Sequence, residues 1–260
     1  MRIITCAKEV SGRETRYEIN PDGNWIEERN VSFEINECDE YALEEGLQLK
    51  EKHGGEVTIL TLGQERAEKV MRKGLAMGAD RGLLVLDQED QARSPFVVAS
   101  ALSEVLKNEE FDLILAGTQS DDLGHAQTGV MLAELLGLPH ATIVMQIEVD
   151  EEGRTVKALR EMESGWFQWI EMPLPALLTV QAGISSIRYP SLKGIMQAKR
   201  KEITKVEFSS LGLQSSELPQ LEIRSLYTPR QESKAELLEG DTDSVVDQLV
   251  ERLKKEAKVI

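Results

Sequence analysis

The chain has 260 residues, 41% of them hydrophobic, with 46 acids against 30 bases and a net charge of -16. That size holds one large domain, or one domain plus extensions. The acidic balance argues against general nucleic-acid binding, which needs a basic footprint, and favours attraction to basic partner surfaces.

Cys6 and Cys38 stand apart, and His53, His125 and His140 are scattered. They make neither a disulfide framework nor a metal motif. The N-terminal apolar run is too short for a secretory signal. No stretch approaches the ~20 apolar residues that cross a bilayer. The expectation is a soluble, cytoplasmic protein without membrane insertion.

Residues 2–7, RIITCA, are short, apolar and β-branched, which predicts a buried strand. Pro21, Asp22, Gly23 and Asn24 sit between two β-like pieces and predict a hairpin over 17–27. A helix follows from Asn36 as cap. It has an acidic first turn, Leu43 and Leu47 on one face, and Gly54 as its stop. Residues 56–63 predict a second strand, 65–78 a second helix and 81–87 a third strand. Ser94 and Pro95 open a third helix as cap and first helical residue. Residues 111–117 predict a fourth strand and 126–137 a fourth helix.

Strand and helix thus alternate four times. Nearly all-apolar strands are buried on both faces, so the expected fold is α/β: a doubly wound, mostly parallel sheet. From Ala141 the pattern changes to β-like runs around Glu151, Glu152 and Gly153. These predict antiparallel edge strands plus a return strand over 176–180. The segment ESGWFQW, 163–169, is open to two readings: edge-strand packing, or an aromatic wall at a subunit surface. The stretch 209–240 is poor in apolar residues and predicts a thin linker. It ends in an amphipathic helix capped by Asp241 or Thr242, with Val245, Val246, Leu249 and Leu253 on one face.

The most chemical segment is AGTQSDDLGHAQTGVMLAELLG, 116–137. It leaves the carboxyl end of a strand, where ligands of open α/β sheets bind, and opens a helix. Free N–H groups and the dipole at a helix start suit a phosphate. Gln127 and Thr128 can add donors, and Gly117, Gly124 and Gly129 allow close backbone approach. Asp121 and Asp122 would repel a phosphate, so they bond a ribose hydroxyl or a backbone N–H, or face solvent. Neither GxGxxG after the first strand nor GxxxxGK[ST] is present, which disfavours a dinucleotide dehydrogenase and a P-loop NTPase. Ser120, Asp122 and His125 are close in sequence, but that spacing does not make a triad.

A second unusual stretch is IRYPSLKGIMQAKRKEI, 187–203, which gathers Arg188, Lys193, Lys199, Arg200 and Lys201 against one acid in an acidic chain.

With these motifs the chain resembles the beta subunit of electron-transfer flavoproteins. The resemblance covers essentially its whole length and is carried by NPDGNWIEERNVSFEIN, LAMGADRG, the GTQSDD…AQTG loop and LPALLTVQAGISSIRYPSLKGIMQAKRKEI. It implies a Rossmann-like, adenine-nucleotide-binding α/β domain over 1–205, with a recognition loop at 184–203. A C-terminal arm over 206–260 would pack on an alpha subunit. It also implies electron transport through an FAD held mostly by the alpha subunit, from an acyl-CoA dehydrogenase-type donor to a quinone reductase-type acceptor, with no catalytic residue of its own. The nucleotide in this subunit would be a structural AMP. The alternative is a second FAD in an electron-bifurcating, NADH-oxidising complex.

The resemblance places Cys6, Ala7, Asn36, Gly63, Gly78, Ala79, Asp80 and Arg81 at the nucleotide. It adds Gly117, Gln119, Ser120, Asp122, Ala126, Gln127, Thr128 and Gly129. Ala126 is similar to the bifurcating type and Thr128 to the AMP type. Docking to the donor would fall to Leu192 as apolar anchor, with Arg188, Tyr189, Lys199, Arg200 and Lys201 around it. A Ser-Ser-Ile run at 185–187 and Lys193 depart from the family pattern there, which points to an unusual redox partner.

Overall fold

A computed structural model of the chain describes residues 1–88, 93–213, 221–229 and 235–260. Part of the predicted linker over 209–240 lies outside the described residues. The chain divides into two units, Met1–Glu18 with Ile26–Ile223, and Ile19–Trp25 with Arg224–Ile260.

The described residues of the first unit form a nine-stranded sheet and a small two-stranded one. Its central strands are β1 (Arg2–Cys6), β4 (Glu56–Gly63), β5 (Arg81–Leu86), β6 (Leu113–Gly117) and β10 (Ala176–Val180). The small sheet pairs β2 (Glu9–Ser11) with β3 (Phe33–Ile35), antiparallel. The long edge is β7 (His140–Asp150), β8 (Thr155–Glu161) and β9 (Phe167–Pro173), and the other edge is β11 (Ile203–Glu207). The order is β11-β5-β4-β1-β6-β10-β7-β8-β9. Every pair from β11 to β7 is parallel, and β8 and β9 run antiparallel.

Both faces are covered, as the continuous apolar strands require. Ile3, Val57 and Ile59 face α1 (Glu37–His53) and α2 (Ala67–Met77). Their neighbours Ile4, Leu60 and Ile114 face α3 (Pro95–Leu106) and α4 (Thr128–Leu136). α3 starts as its sequence dictates: the Ser94 hydroxyl accepts from Val97 N–H at 3.3 Å, and Pro95 is the first helical residue. A short helix, α5 (Leu192–Ala198), lies against α2. Gly194 permits that approach, since a Cβ there would come within 2.3 Å of the Ala76 carbonyl oxygen.

The hairpin expected over 17–27 is present as a minimal one, a single bridge rather than two strands: Glu27 N–H bonds the Glu18 carbonyl, Asn20 N–H bonds the Trp25 carbonyl, and Gly23 N–H closes the turn on the Asn20 carbonyl. Two features of the fold went unread in the sequence. The small sheet β2–β3 was not anticipated, because three-residue strands carry no alternation long enough to register. β11 falls in sequence that reads as the end of the basic stretch, and it continues to Glu207.

The second unit contains α6 (Thr242–Arg252). The Asp241 carboxylate caps it, accepting from Ser244 N–H at 3.0 Å. Arg252 holds Glu236 at 2.7 Å through Nη2. Among the described residues no helix is long and apolar enough to cross a membrane.

Candidate functional site

The chain runs outward from β1 through β4 to β5, then returns to place β6 on the other side of β1. The strand order therefore reverses between β1 and β6, the point at which open sheets of this kind bind ligands. The carboxyl ends of these strands bring together Cys6, Ala7 and Lys8 from β1 and Gly117 from β6. The loop 118–127 and the start of α4 follow directly.

α1 secures this edge from below. The Asn36 side chain donates to the Gln119 carbonyl at 2.8 Å and accepts from Asp121 N–H at 2.8 Å. Asn36 is thus not the side-chain cap that the sequence predicts. The cap comes from the loop instead, where the Asp121 carboxylate accepts Glu37 N–H at 3.2 Å. Three residues on, Asp39 is 7% exposed and accepts Lys8 N–H at 2.8 Å and Gly117 N–H at 2.7 Å. Burial pushes its carboxyl up to about 7, against the pull of those N–H donors, the Asn36 side chain and the Lys8 charge. Burial, with Asp39 adding to it, pushes the Cys6 thiol up to about 12.

The loop is held from the other side by Lys8. Its ammonium bonds Asp122 at 2.7 Å and Ser120 at 3.3 Å. Burial raises the Asp122 carboxyl, but Lys8, Ser120 and Leu123 N–H together leave it below the usual carboxylate range. Asp122 therefore faces a cation and a backbone N–H.

The loop then turns through Gly124 at φ +60° and Ala126 at φ +54°. A left-handed alanine is a strained choice, of the kind found at ligand clamps. α4 begins immediately afterwards, and no side chain caps it at Gln127. Its first N–H groups and its positive end are left for an anion. Gly129 seats the helix on the sheet, since a Cβ there would lie 2.5 Å from the Thr179 methyl. Lys8 and Asp39 escaped sequence reasoning. The only signals were a lysine two places past the first strand and an acid three places past Asn36.

Gly63 ends β4, and its carbonyl accepts Asp87 N–H at 3.0 Å. The turn Gly78, Ala79, Asp80 and Arg81 lies elsewhere: it precedes β5, at the amino ends of the parallel strands, the edge opposite the loop 118–127. There Asp80 binds Lys50 at 2.7 Å and accepts Val57 N–H at 2.8 Å. Arg81 pairs with Glu109 at 2.7 Å, and Gly78 ends α2 at φ +143°. These residues join α1, α2 and the sheet, and none of them reaches the switch point.

The 187–203 stretch divides in two. Arg188 turns inward: Nε meets Glu44 at 2.7 Å, Nη2 meets it at 2.9 Å, and Nη1 bonds Glu51. Glu44 is 3% exposed at its side chain. Burial raises its carboxyl, yet the Arg188 guanidinium and N–H, with Gln48, bring it below the usual range. Lys201 also turns inward, donating to the Leu75 carbonyl at 3.0 Å and to the Ala79 carbonyl, where it completes the end of α2. Burial lowers the Lys201 ammonium. Both are thus engaged within the chain, Arg188 by Glu44 and Glu51 and Lys201 by the end of α2. Outward stand Tyr189, 95% exposed, Leu192, 84%, and Met196, 72%, with Lys199 and Arg200 at the exposed end of α5. Beside them Pro190, Ile195 and Lys199 help line a groove against α2 of about 570 Å³.

The aromatic segment at the far edge is also exposed. Trp166, 74% exposed, precedes β9, while Phe167 and Trp169 lie on it, about half exposed and paired with β8 at the sheet edge.

The sequence profile of the electron transfer flavoprotein domain matches residues 23–211. That span includes the whole 118–127 loop, α4 and the 187–203 stretch. The chain belongs to the electron transfer flavoprotein family, as a beta subunit. It is 39% identical over 241 residues to "Electron transfer flavoprotein subunit beta" of Bacillus subtilis (strain 168), covering 90% of this chain and 91% of that protein. With the protein of the same name from Methylophilus methylotrophus it shares 35% over 246 residues, 92% and 93% of the two chains. With "Electron transfer flavoprotein subunit beta, mitochondrial" of Arabidopsis thaliana it shares 33% over 262 residues, the full length of both.

Proposed function

We propose that this chain pairs with an alpha subunit to form a heterodimeric electron carrier of the cytoplasm, and that its own cradle holds AMP. The observation that carries the AMP reading is the uncapped start of α4 at the reversal between β1 and β6. Backbone N–H groups of Thr128 and Gly129 there, with Gln127 at the entry, match one phosphate group. Lys8 is the nearby cation, and it is already shared with Asp122 and Ser120. That donor set suits a monophosphate. Ala7 and Gly63 at the strand ends and the Asn36-held loop backbone at Gln119 and Ser120 would wall the nucleoside.

FAD, held mostly by the alpha subunit, supplies the reversible redox chemistry. This chain's share is positioning. The AMP cradle fixes the 118–127 loop, and Leu192 presents an apolar anchor to an acyl-CoA dehydrogenase-type donor. Lys199 and Arg200 form a polar rim that steers encounter with an acidic donor surface. Electrons leave toward a quinone reductase-type acceptor. The C-terminal unit, Arg224–Ile260, acts as an arm on the alpha subunit, with α6 as its amphipathic end. A second reading, a bifurcating subunit with FAD in the cradle, is favoured by Ala126, which is similar to that type.

Rapid-mixing absorbance of the co-expressed heterodimer separates the two. Reduction of the flavin by an acyl-CoA dehydrogenase with its acyl-CoA, and none by NADH alone, is the expected outcome. Reduction by NADH would establish the second reading.

A further inference from the structure

One buried group is absorbed by neither the nucleotide contacts nor the docking surface. Asp39 projects from the first turn of α1 into the gap between the two central strand ends. One oxygen accepts Lys8 N–H from the end of β1, and the other accepts Gly117 N–H from the end of β6. A carboxylate gives each donor its own oxygen, whereas an amide has a single oxygen and an alkyl group none. Gly117 is shaped to the same purpose, since a Cβ there would stand 2.4 Å from the Asp39 Oδ1. Asn36, one turn earlier, seats the loop that leaves β6.

We propose that Asp39 is the positioning residue of the nucleotide cradle, a carboxylate staple that sets the spacing of the β1 and β6 ends and thereby the seat of loop 118–127. Its reading as part of a nucleotide cradle rests on the function proposed above; the staple itself does not. The charged and titratable groups facing it are few. Lys8 lies on the β1 side, the Cys6 and Cys38 thiols are both pushed up by burial, and Asp121 and Asp122 lie on the loop. The thiols stay neutral near pH 7 and Asp122 stays ionised, while Asp39, pushed up to about 7, changes charge there. Burial holds the folded carboxyl above its unfolded value, so protonation favours the closed staple over an opened one, and ionisation as pH rises through about 7 loosens it.

The test is hydrogen exchange by mass spectrometry on the full chain in its heterodimer, wild type and Asp39→Asn, between pH 6 and 8.5. Rates are corrected for the intrinsic pH dependence. In wild type the peptides covering Lys8 and 117–127 should exchange about tenfold more slowly at pH 6 than at pH 8.5. In Asp39→Asn they should exchange fast throughout, with no such pH dependence. AMP and FAD are then titrated into nucleotide-stripped samples of both proteins. Whichever binds wild type should bind Asp39→Asn at least tenfold more weakly at pH 6. Wild-type exchange that is flat with pH overturns the staple, even if the variant does not fold. So does a variant that matches wild type in both exchange and affinity. Wild type that binds FAD and not AMP refutes the AMP reading while leaving the staple to be decided by the exchange data.

Discussion

At the carboxyl edge of the sheet, the buried side chains of Asn36 and Asp39 spend their polar atoms on backbone groups more than seventy residues away, at the end of β6 and in the loop that follows. Along 188–200 the arrangement is inverted. Arg188 is consumed internally, while Tyr189, Leu192 and Met196 stand in solvent. The first region stiffens backbone so that a helix end stays open to an anion. The second stiffens one arginine so that apolar side chains can stay out. Exposed apolar surface next to a fixed framework marks a surface made for contact. Buried polar atoms with all partners in place mark a seat whose geometry is set beforehand.

Removing the framework of the second region should have the largest effect. Arg188→Ala strands Glu44, buried and charged, and should lower stability by about 2–3 kcal/mol in denaturant unfolding. Glu44 sits below its ordinary value of 4.5 in the folded chain. A depressed carboxyl stabilises above its unfolded value, and the gain is lost as pH falls through the folded one. The wild-type advantage over Arg188→Ala should therefore be full at pH 6 and should shrink below 4.5. A pH-independent difference would show that Arg188 acts by packing alone.

Truncating the exposed anchor should act on transfer and not on folding. Leu192→Ala should slow reduction by the donor dehydrogenase about thirtyfold, the equivalent of about 2 kcal/mol at a hot spot, with flavin and nucleotide content unchanged. Wild-type transfer rates in that variant would remove the docking role.

In the first region, Asn36→Ala leaves the Gln119 carbonyl and Asp121 N–H without their partner. The expected loss is about 1–2 kcal/mol, accompanied by weaker nucleotide retention. Stability loss without any change in retention would separate the loop from the ligand. The smallest effect is expected at the rim. Lys199→Glu should cut the association rate a few-fold at low salt and vanish near 0.5 M, because exposed charges act through a screened field.

The two regions also differ in how far the sequence revealed them. β1, β4, β5 and β6 are legible because their apolar runs are buried on both faces, and α3 because Ser94 and Pro95 mark its start. The 118–127 loop and α4 are legible as a strand-to-helix passage with glycines. What lies underneath was not. The partners of Asn36 and Asp39 are remote in the chain, and nothing local to α1 announces which way those side chains turn. Arg188 was read as a docking cation because it stands among other bases, and its partner Glu44 lies 144 residues earlier. β11 was missed because an edge strand with alternating polar residues resembles the basic run that precedes it. The Gly78–Arg81 turn was placed at the nucleotide by resemblance, while parallel topology puts the start of β5 at the opposite edge.

The central claim is that the cradle formed at β1, β6 and α4 holds AMP while the electron-carrying flavin belongs to the heterodimer. Denaturing the purified heterodimer and counting the released nucleotides by mass spectrometry tests it most directly. One AMP and one FAD per heterodimer is the predicted result; two FAD and no AMP would contradict it.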